Sequence, residues 1–482
     1  MARGGSIAPS HPPRKSVATA TPTAERHIPM RIVVNRLKDS PDFVEKVDVV
    51  VIGAGIVGSS TAYELARKGL SVALIEKGIV AGEQSGRNWG WVRAQNRDLH
   101  ELPLAMYSMR RWGELDEEIG ADLGFRRSGC LYVTRDPAEL ARWEAWNAKA
   151  RAMGFRNESL TQAQAQERMK GSTTRWAGGL WSPTDGRAEP GMAAPAIAAG
   201  AQALGAFLYQ NCAVRGLDIA NGEVKGVWTE RGLIRCDAVV LAGGAWSSRF
   251  LRRHGIDLPV ANIEGTALRT TPAPEVVEAG CVTGAGYALR RRLDGGYTIS
   301  VPGHGVVNLA PQGIRYAAKF REMMKAKIAK KLKYKLSSRF FNGPDAWGSW
   351  DFDKISPFEK IRIMDPAPQQ DLVDEAIRAL VADFPIFKGI GVAGAWAGLI
   401  DTSPDLVPVV GNPSEIRGLT VATGFSGHGF ALGPGAGRLA SELATNDTPF
   451  VEIDAYRVNR FTDGSAIKRP VSYTHLTLRR LL

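Results

Sequence analysis

The stretch VDVVVIGAGIVGSSTAYELARKGLSVALIEK, residues 47–77, constrains the fold more than any other part of this chain. Its apolar run at 47–52 has the continuous, β-branched composition of a strand buried on both faces. Gly53-Ala54-Gly55-Ile56-Val57-Gly58 then opens a helical pattern that includes Tyr63, Leu65 and Ala66, and Gly69 closes it. A second apolar run at 72–75 completes a strand–helix–strand unit, which implies a parallel pair joined by a crossover helix. The three glycines have separate jobs. Gly53 permits a tight turn, Gly55 lets backbone N–H groups approach a pyrophosphate at the positive end of the helix, and Gly58 lets helix and strand pack closely. Glu76 ends the second strand 23 residues after Gly53, where its carboxylate accepts from a ribose 2′-hydroxyl and repels a 2′-phosphate. The unit therefore predicts a dinucleotide site that includes Gly53, Ala54, Gly55, Ile56, Val57, Gly58, Glu76 and Lys77.

Charge is the next constraint, because a net +12 on 482 residues raises the question of nucleic acid. The excess is localised: residues 1–46 hold eight Lys/Arg against four acids, 315–340 ten against one, and 468–482 four against none. The body between these segments is mildly acidic, so no phosphate-tracking surface is expected and nucleic acid is set aside as a partner. Cys130, Cys212, Cys236 and Cys281 lie far apart, with no CxxC and no histidine at ligand spacing, and read as reduced structural thiols without a metal. No apolar run is long enough to span a bilayer and no secretory core is present, so the expected location is cytoplasmic. Residues 1–29 read as a disordered Ser/Pro/Ala/Thr-rich leader continuing as linker to 46, with Met30 an alternative start. Residues 470–482, which include VSYTHLTLRRLL, read as a non-native tail.

A second unusual stretch, SGRNWGWVR at 85–93, packs two glycines, two arginines and two tryptophans into nine residues. That mixture suits a backbone brought against a flat or charged ligand with water walled off; Trp89 and Trp91 fit a pocket wall and core packing equally well. Downstream, the pattern reads as a helix at 105–120, a strand at 129–134, and further helix across 136–168. Helix and strand follow over 195–214, and then a strand runs into a glycine turn at 236–251. Residues 259–395 are strand-like and turn-rich around one charged helix. A last strand at 418–424 precedes a Gly-rich turn and helix. A nucleotide fold completed from such separated pieces favours FAD, a long cofactor buried across several segments, over NAD.

Five ordered matches carry a family resemblance: the 47–77 stretch, SGRNWGWVR, DAVVLAGGAWS, WAGLIDTSPDLVPVVG and GFSGHGFALGPGAGRLASEL. Over roughly residues 47–465 the chain resembles the D-amino-acid oxidase-like family of FAD-dependent amine and amino-acid oxidoreductases, which includes sarcosine and glycine oxidases and D-amino-acid dehydrogenases. The resemblance implies non-covalent FAD, with Ser85, Arg87 and Asn88 beside the pyrophosphate and isoalloxazine, Val214 at the adenine end, and Gly243-Gly244 crossing near the cofactor. It places Arg93 at the flavin or the substrate carboxylate, with a surface or ion-paired arginine as the alternative. Gly427, His428 and Gly429 precede a helix whose N–H groups and dipole can stabilise negative charge on the reduced flavin. His428 is either flavin-proximal or a packed core histidine, and with Arg93 it is the catalytic candidate.

Departures from the family pattern narrow the chemistry. Ile400 stands where relatives often carry a carboxylate-binding arginine, and Ala431 where sarcosine-oxidase relatives carry a lysine, which puts simple glycine or sarcosine in doubt. No cysteine lies near 395–405 for a flavin thioether, and no oxygen-activating lysine is evident near 305–313, which favours a dehydrogenase over an oxidase.

The expected fold class is α/β: a discontinuous Rossmann-like FAD-binding domain from 47–95, 175–255 and 396–465, with an inserted α+β substrate domain on a mixed sheet from 96–174 and 256–395. The expected reaction transfers hydride from the carbon bearing an amine, in an amino acid or secondary amine, to flavin N5, and water hydrolyses the imine. Oxygen, a quinone and a carrier protein all remain open as electron acceptor. The alternatives are a flavin monooxygenase and a partner-dependent subunit of a hetero-oligomeric dehydrogenase. Finally, 319–335 reads as one basic amphipathic helix with Phe320, Met324, Ile328 and Leu332 at spacing four. It suits an anionic membrane surface or an acceptor protein, or a solvated helix docked on the sheet.

Overall fold

The computed structural model describes Met1 and residues 32–325 and 331–468. Val49–Ile52 and Val72–Ile75 pair in parallel on either side of the Ile56–Arg67 helix, as the apolar runs require. They belong to a six-stranded sheet in the order Val409–Gly411, Leu419–Thr423, Ala238–Leu241, Val49–Ile52, Val72–Ile75 and Phe207–Tyr209. Every neighbour pair is parallel except the edge pair Val409–Gly411 with Leu419–Thr423. The central strand is sealed on both faces: Val50 and Val51 have no exposed surface. The Ile56–Arg67 helix packs on the Gly429–Ala444 helix through small residues; a Cβ on Gly437 would lie 2.4 Å from Ser60 Cβ.

The second sheet has ten strands and is mixed. It runs from Leu332–Leu336 at one edge through Gly305–Leu309, Ala261–Thr270, Tyr297–Ser300, Ala288–Arg291, Cys281–Thr283, Cys130–Thr134 and Gly178–Ser182 to Glu158–Leu160, with Val392–Thr402 also paired to Ala261–Thr270. Its core includes Leu268, Ile299 and Tyr297 under the Gln370–Asp383 helix, which contributes Leu372, Val373, Ala376 and Leu380. The two sheets trade chain segments at points other than 175 and 396, because Gly178–Ser182 and Val392–Thr402 pair within the larger sheet. A three-stranded antiparallel sheet over Val214–Ala220, Glu223–Thr229 and Gly232–Arg235, which the sequence reading missed, flanks the first.

Two expectations are corrected. Residues 319–335 are not one helix: helical turns end at Lys325 and Leu332–Leu336 is an edge strand paired in parallel with Gly305–Leu309, while 326–330 fall outside the described residues. Spacing four and the alternation of LKYKL compete in that segment, and the open edge of the sheet decides in favour of the alternation. The linker expected up to 46 is packed from residue 32 onward. Asn35 N–H donates to the Gly191 carbonyl at 2.8 Å, and Ser40 N–H to that of Leu208 at 2.9 Å. The leader at 2–31 and the tail at 469–482 lie outside the described residues. All four cysteines are free and buried, and among the described residues no helix is long and apolar enough to cross a membrane and no cluster could hold a metal ion.

Candidate functional site

One elongated cavity follows the carboxyl ends of the parallel strands, the location where open α/β sheets bind ligands. At one end its wall includes Gly53, Gly55, Ile56, Val57, Glu76 and Val214. Gly53 takes φ +97°, and a Cβ there would lie 2.5 Å from the Ala242 carbonyl oxygen. A Cβ on Gly58 would lie 1.8 Å from the Gly53 oxygen, so that glycine sets how close the helix comes to the turn without itself lining the cavity. Ala54 is also behind the wall, and its N–H donates to Glu76 Oε2 at 2.9 Å. The other oxygen of Glu76 accepts from Gly78 N–H at 2.8 Å. Burial pushes the Glu76 carboxyl up, and Lys77 and these two donors pull it back.

Ser85 and Asn88 line the cavity, and each also braces its rim. Ser85 Oγ accepts from Ile56 N–H at 2.8 Å, which caps the helix and leaves the hydroxyl hydrogen to donate elsewhere. Asn88 donates to the Ser85 carbonyl at 2.6 Å and accepts from Gly90 N–H at 2.7 Å. Lys77 lines the cavity, yet its ammonium is committed to Glu83 at 2.6 Å and to the Arg362 carbonyl at 2.7 Å. Arg87 is placed outside the lining: its guanidinium donates to the carbonyls of Gly82 and Ala397 and pairs with Asp365, fastening the Val392–Thr402 strand to the turn. Trp91 is in the core, 6.2 Å from the Tyr132 ring, and neither it nor Trp89 lines the cavity.

Gly243 and Gly244 line the middle, and Gly427, Gly429, Phe425 and Phe430 the far end, at the start of the Gly429–Ala444 helix. The strained turn before that helix, with Ser426 at φ +53° and Gly427 at φ +85°, is held by a residue the sequence reading passed over. Asp401 accepts from Gly424 N–H at 2.7 Å and from Thr423 Oγ1 at 3.1 Å, and its own carbonyl accepts from Ser426 N–H. The signal was a lone acid ending the apolar stretch WAGLI. Ala431 is 1% exposed, and its carbonyl accepts from Trp112 Nε1 and Ser108 Oγ, so the missing lysine's place is closed by packing against the Leu102–Ile119 helix.

Arg93 and His428 do not line this cavity but belong to a buried polar cluster beside it. Arg93 donates to the Gln95 carbonyl and lies 5.6 Å from the Tyr132 ring centre. Asp185 fixes this loop by accepting from Ala94 N–H at 2.9 Å and Gln95 N–H at 3.0 Å; burial pushes its carboxyl up to about 6. Arg97 is brought down to about 9, by burial first and then by Arg93. His428 Nδ1 lies 2.8 Å from Glu101 Oε2. Arg97, Asp185 and Glu101 were not singled out in the sequence, since isolated charges in a loop and at a helix start carry no period.

Fold and cavity together define an α/β dinucleotide-binding protein in which a strand of the second sheet supplies part of the wall through Leu399 and Asp401. The chain belongs to the FAD-dependent oxidoreductase family DAO, whose family model matches residues 48–443. It is 26% identical over 434 residues to 4-methylaminobutanoate oxidase (formaldehyde-forming) of Paenarthrobacter nicotinovorans, with 86% of this chain and 46% of that protein covered. It is likewise 26% identical to sarcosine oxidase subunit beta of Arthrobacter sp, covering 89% of this chain and 94% of that one. Among solved structures, L-amino acid deaminase from Proteus myxofaciens superposes with a TM-score of 0.85 at 28% identity, covering 90% of this chain and 98% of that one. The chain thus spans about half the length of the first of these relatives and nearly all of the other two. The family's cofactor is FAD, and the residues present fit it: a glycine cradle a Cβ would fill at one end, and a helix start lined by glycines at the other.

Proposed function

We propose that this chain is an FAD-dependent oxidoreductase that oxidises the C–N bond of an amino acid or secondary amine. The observation that carries the reading is the cavity running from Glu76 to the Gly427–Phe430 helix start, inside a chain matched to the family over most of its length. When bound, FAD supplies a two-electron oxidation, taking hydride from the carbon bearing the amine; water then converts the imine to a carbonyl compound and releases the amine.

The protein's part is to hold and shield. Gly53, Gly55, Ile56 and Val57 face the pyrophosphate, with Ser85 donating its free hydroxyl hydrogen; Ala54 and Gly58 act from behind, by shaping the turn. Glu76 takes the ribose hydroxyls, Val214 covers the adenine, and Gly243, Gly244 and Asn88 follow the cofactor inward. Gly427 and Gly429 leave the helix start open to the cavity, where the positive end of the helix dipole would favour negative charge on a bound flavin. Lys77 and Arg87 act as braces. Arg93 is the substrate-side cation. The six-stranded sheet forms the cofactor domain and the ten-stranded sheet the substrate domain, in a cytoplasmic protein.

Anaerobic mixing with a panel of D-amino acids, L-amino acids, N-methyl amino acids and prolines tests the reading through bleaching of the flavin band. The expected outcome is bleaching by a subset, lost in Arg93→Ala with FAD retained. No bleaching by any member overturns it. The match along 94% of a protein named as a subunit favours one second reading, a partner-dependent subunit; that version binds FAD but turns over only after its partner is added.

A further inference from the structure

Glu101 is fully buried at the start of the Leu102–Ile119 helix, and its carboxyl group meets an imidazole 327 positions away in sequence. A buried carboxyl group is costly unless it is paired, and an apolar residue would close this part of the core without that cost. The pairing with His428 Nδ1, at 2.8 Å to Oε2 and 3.2 Å to Oε1, is what accounts for an acid here. His428 stands between Gly427 and Gly429, both of which line the cavity, and directly precedes the Gly429–Ala444 helix. Its side chain keeps 11% exposure, and among the described residues Nε2 has no hydrogen-bond partner.

We infer that Glu101 is a positioning residue for His428: it clamps Nδ1 and so decides whether Nε2, on the residue between the cavity-lining glycines Gly427 and Gly429, presents a proton or a lone pair. This rests on the FAD reading above. The groups around the pair are Arg93, Arg97 and Asp98 on the preceding loop, Asp185 beneath that loop, Tyr132 on the neighbouring strand, and Asp405, Tyr456 and Arg460 from the far side. Asp405 and Arg460 pair with each other at 2.9 Å and nearly cancel, and Asp98 and Asp185 offset charge on Arg93 and Arg97, the two cations that act on both members of the pair.

Burial pushes the Glu101 carboxyl up to about 8, against the pull of Arg97 and Arg93. Burial, and then the same two guanidinium groups, hold His428 well below its ordinary value, so the imidazole is neutral at physiological pH. The pair then has two arrangements. With Glu101 as the acid, its O–H donates to Nδ1 and Nε2 carries a hydrogen. When Glu101 loses its proton to Nδ1, Nδ1–H donates to the carboxylate and the Nε2 proton leaves to water, one proton released in all. Only the first arrangement offers a hydrogen-bond donor at Nε2.

The test is a nitrogen-15 titration of the full chain labelled at histidine, with His428→Gln used to identify the resonance among the seven histidines. The expected result is that Nε2 of His428 passes from protonated to unprotonated with a midpoint near the value of about 8 set for Glu101. Glu101→Gln, whose amide keeps a donor to Nδ1 but cannot ionise, should hold Nε2–H over the whole range. In parallel, the reduction potential of bound FAD should show an inflection with pH in the wild type that both variants lose. A wild-type Nε2 with no change across the range, or a midpoint unaltered in Glu101→Gln, overturns the inference. The wild-type titration decides alone should Glu101→Gln not fold. A chain that binds no FAD refutes the flavin reading instead, while the nitrogen titration still reports on the clamp.

Discussion

Gly58→Ala isolates the closest approach in the cofactor unit. The added methyl would sit 1.8 Å from the Gly53 carbonyl oxygen, and real Cβ atoms essentially never approach a neighbour below 3.0 Å, so roughly 1.2 Å of separation must be found. The obstacle is backbone that cannot rotate away. Gly53 is itself held, its N–H donating to the Ile75 carbonyl at 2.8 Å. The Ile56–Arg67 helix must therefore retreat, and its far side is packed on Gly437 with no slack. Overpacking of this kind costs typically about 1–3 kcal/mol, and a shift of this size in a backbone-lined site belongs at the upper end. Retreat also draws Ile56 N–H away from Ser85 Oγ and moves the helix start out of reach of the pyrophosphate. The expected outcome is a lower unfolding midpoint together with at least a hundredfold weaker FAD binding, read from flavin fluorescence on titration. Gly69→Ala is the control: it also adds a methyl to a glycine of the same unit, at φ +79° and with nothing within 4 Å. Its cost is backbone strain of about 1–2 kcal/mol, with FAD affinity unchanged. Equal loss of FAD affinity in both variants, or undisturbed binding in Gly58→Ala, would refute the steric argument.

Three further outcomes follow from named contacts. Glu76→Ala strips the acceptor from the buried N–H groups of Ala54 and Gly78; at about 1–3 kcal/mol for unsatisfied donors, FAD should bind roughly ten- to a hundredfold more weakly by calorimetry. Arg290→Leu leaves buried Glu189 with Arg187, at 3.9 Å, in place of its partner at 2.8 Å, and should lower stability in urea unfolding at neutral pH toward the low end of about 3–5 kcal/mol. Burial raises the Glu189 carboxyl, but Arg290 and the N–H of Leu293 outweigh it and leave the group below its ordinary value. Its contribution is therefore complete above the unfolded carboxylate range of about 4.3, and is lost as pH falls through the lower folded value. Glu189→Gln should accordingly flatten the acid limb of a stability–pH curve, and an unchanged limb would show the pair to be inert.

What was legible in the sequence was what neighbours in the chain decide. The 47–77 unit could be read because a parallel strand buried on both faces must be apolar throughout, and because its turn accepts only glycine at Gly53. The three-stranded sheet over 214–235 left a local signal that was not used: Asn221-Gly222, both at positive φ, is the turn chemistry of a tight hairpin. The edge strand Leu332–Leu336 was misread because its alternating apolar residues also continue a spacing of four, and only the vacant edge beside Gly305–Leu309 separates the two readings.

The far end of the cavity was less legible for a different reason. Its shape depends on pairings across hundreds of residues: Glu101 with His428, Arg87 with the carbonyl of Ala397, and Ser108 and Trp112 with that of Ala431. Each is a polar group satisfied by one distant partner, and such groups recur with no period. The adenosine end is built almost wholly from the strand–helix–strand unit, so dinucleotide binding could be argued from 31 consecutive residues. The far end takes its walls from Ser85 and Asn88, from Leu399 and Asp401 of the Val392–Thr402 strand, and from Phe425, Gly427 and Gly429. Ile400 shows the consequence: its Cγ2 lies 3.7 Å from where a Cβ on Gly427 would stand, so an apolar side chain packs toward the helix-start turn. A cation for an anionic ligand is then the part assigned to Arg93 in the proposed function, and the Arg93→Ala bleaching experiment tests it.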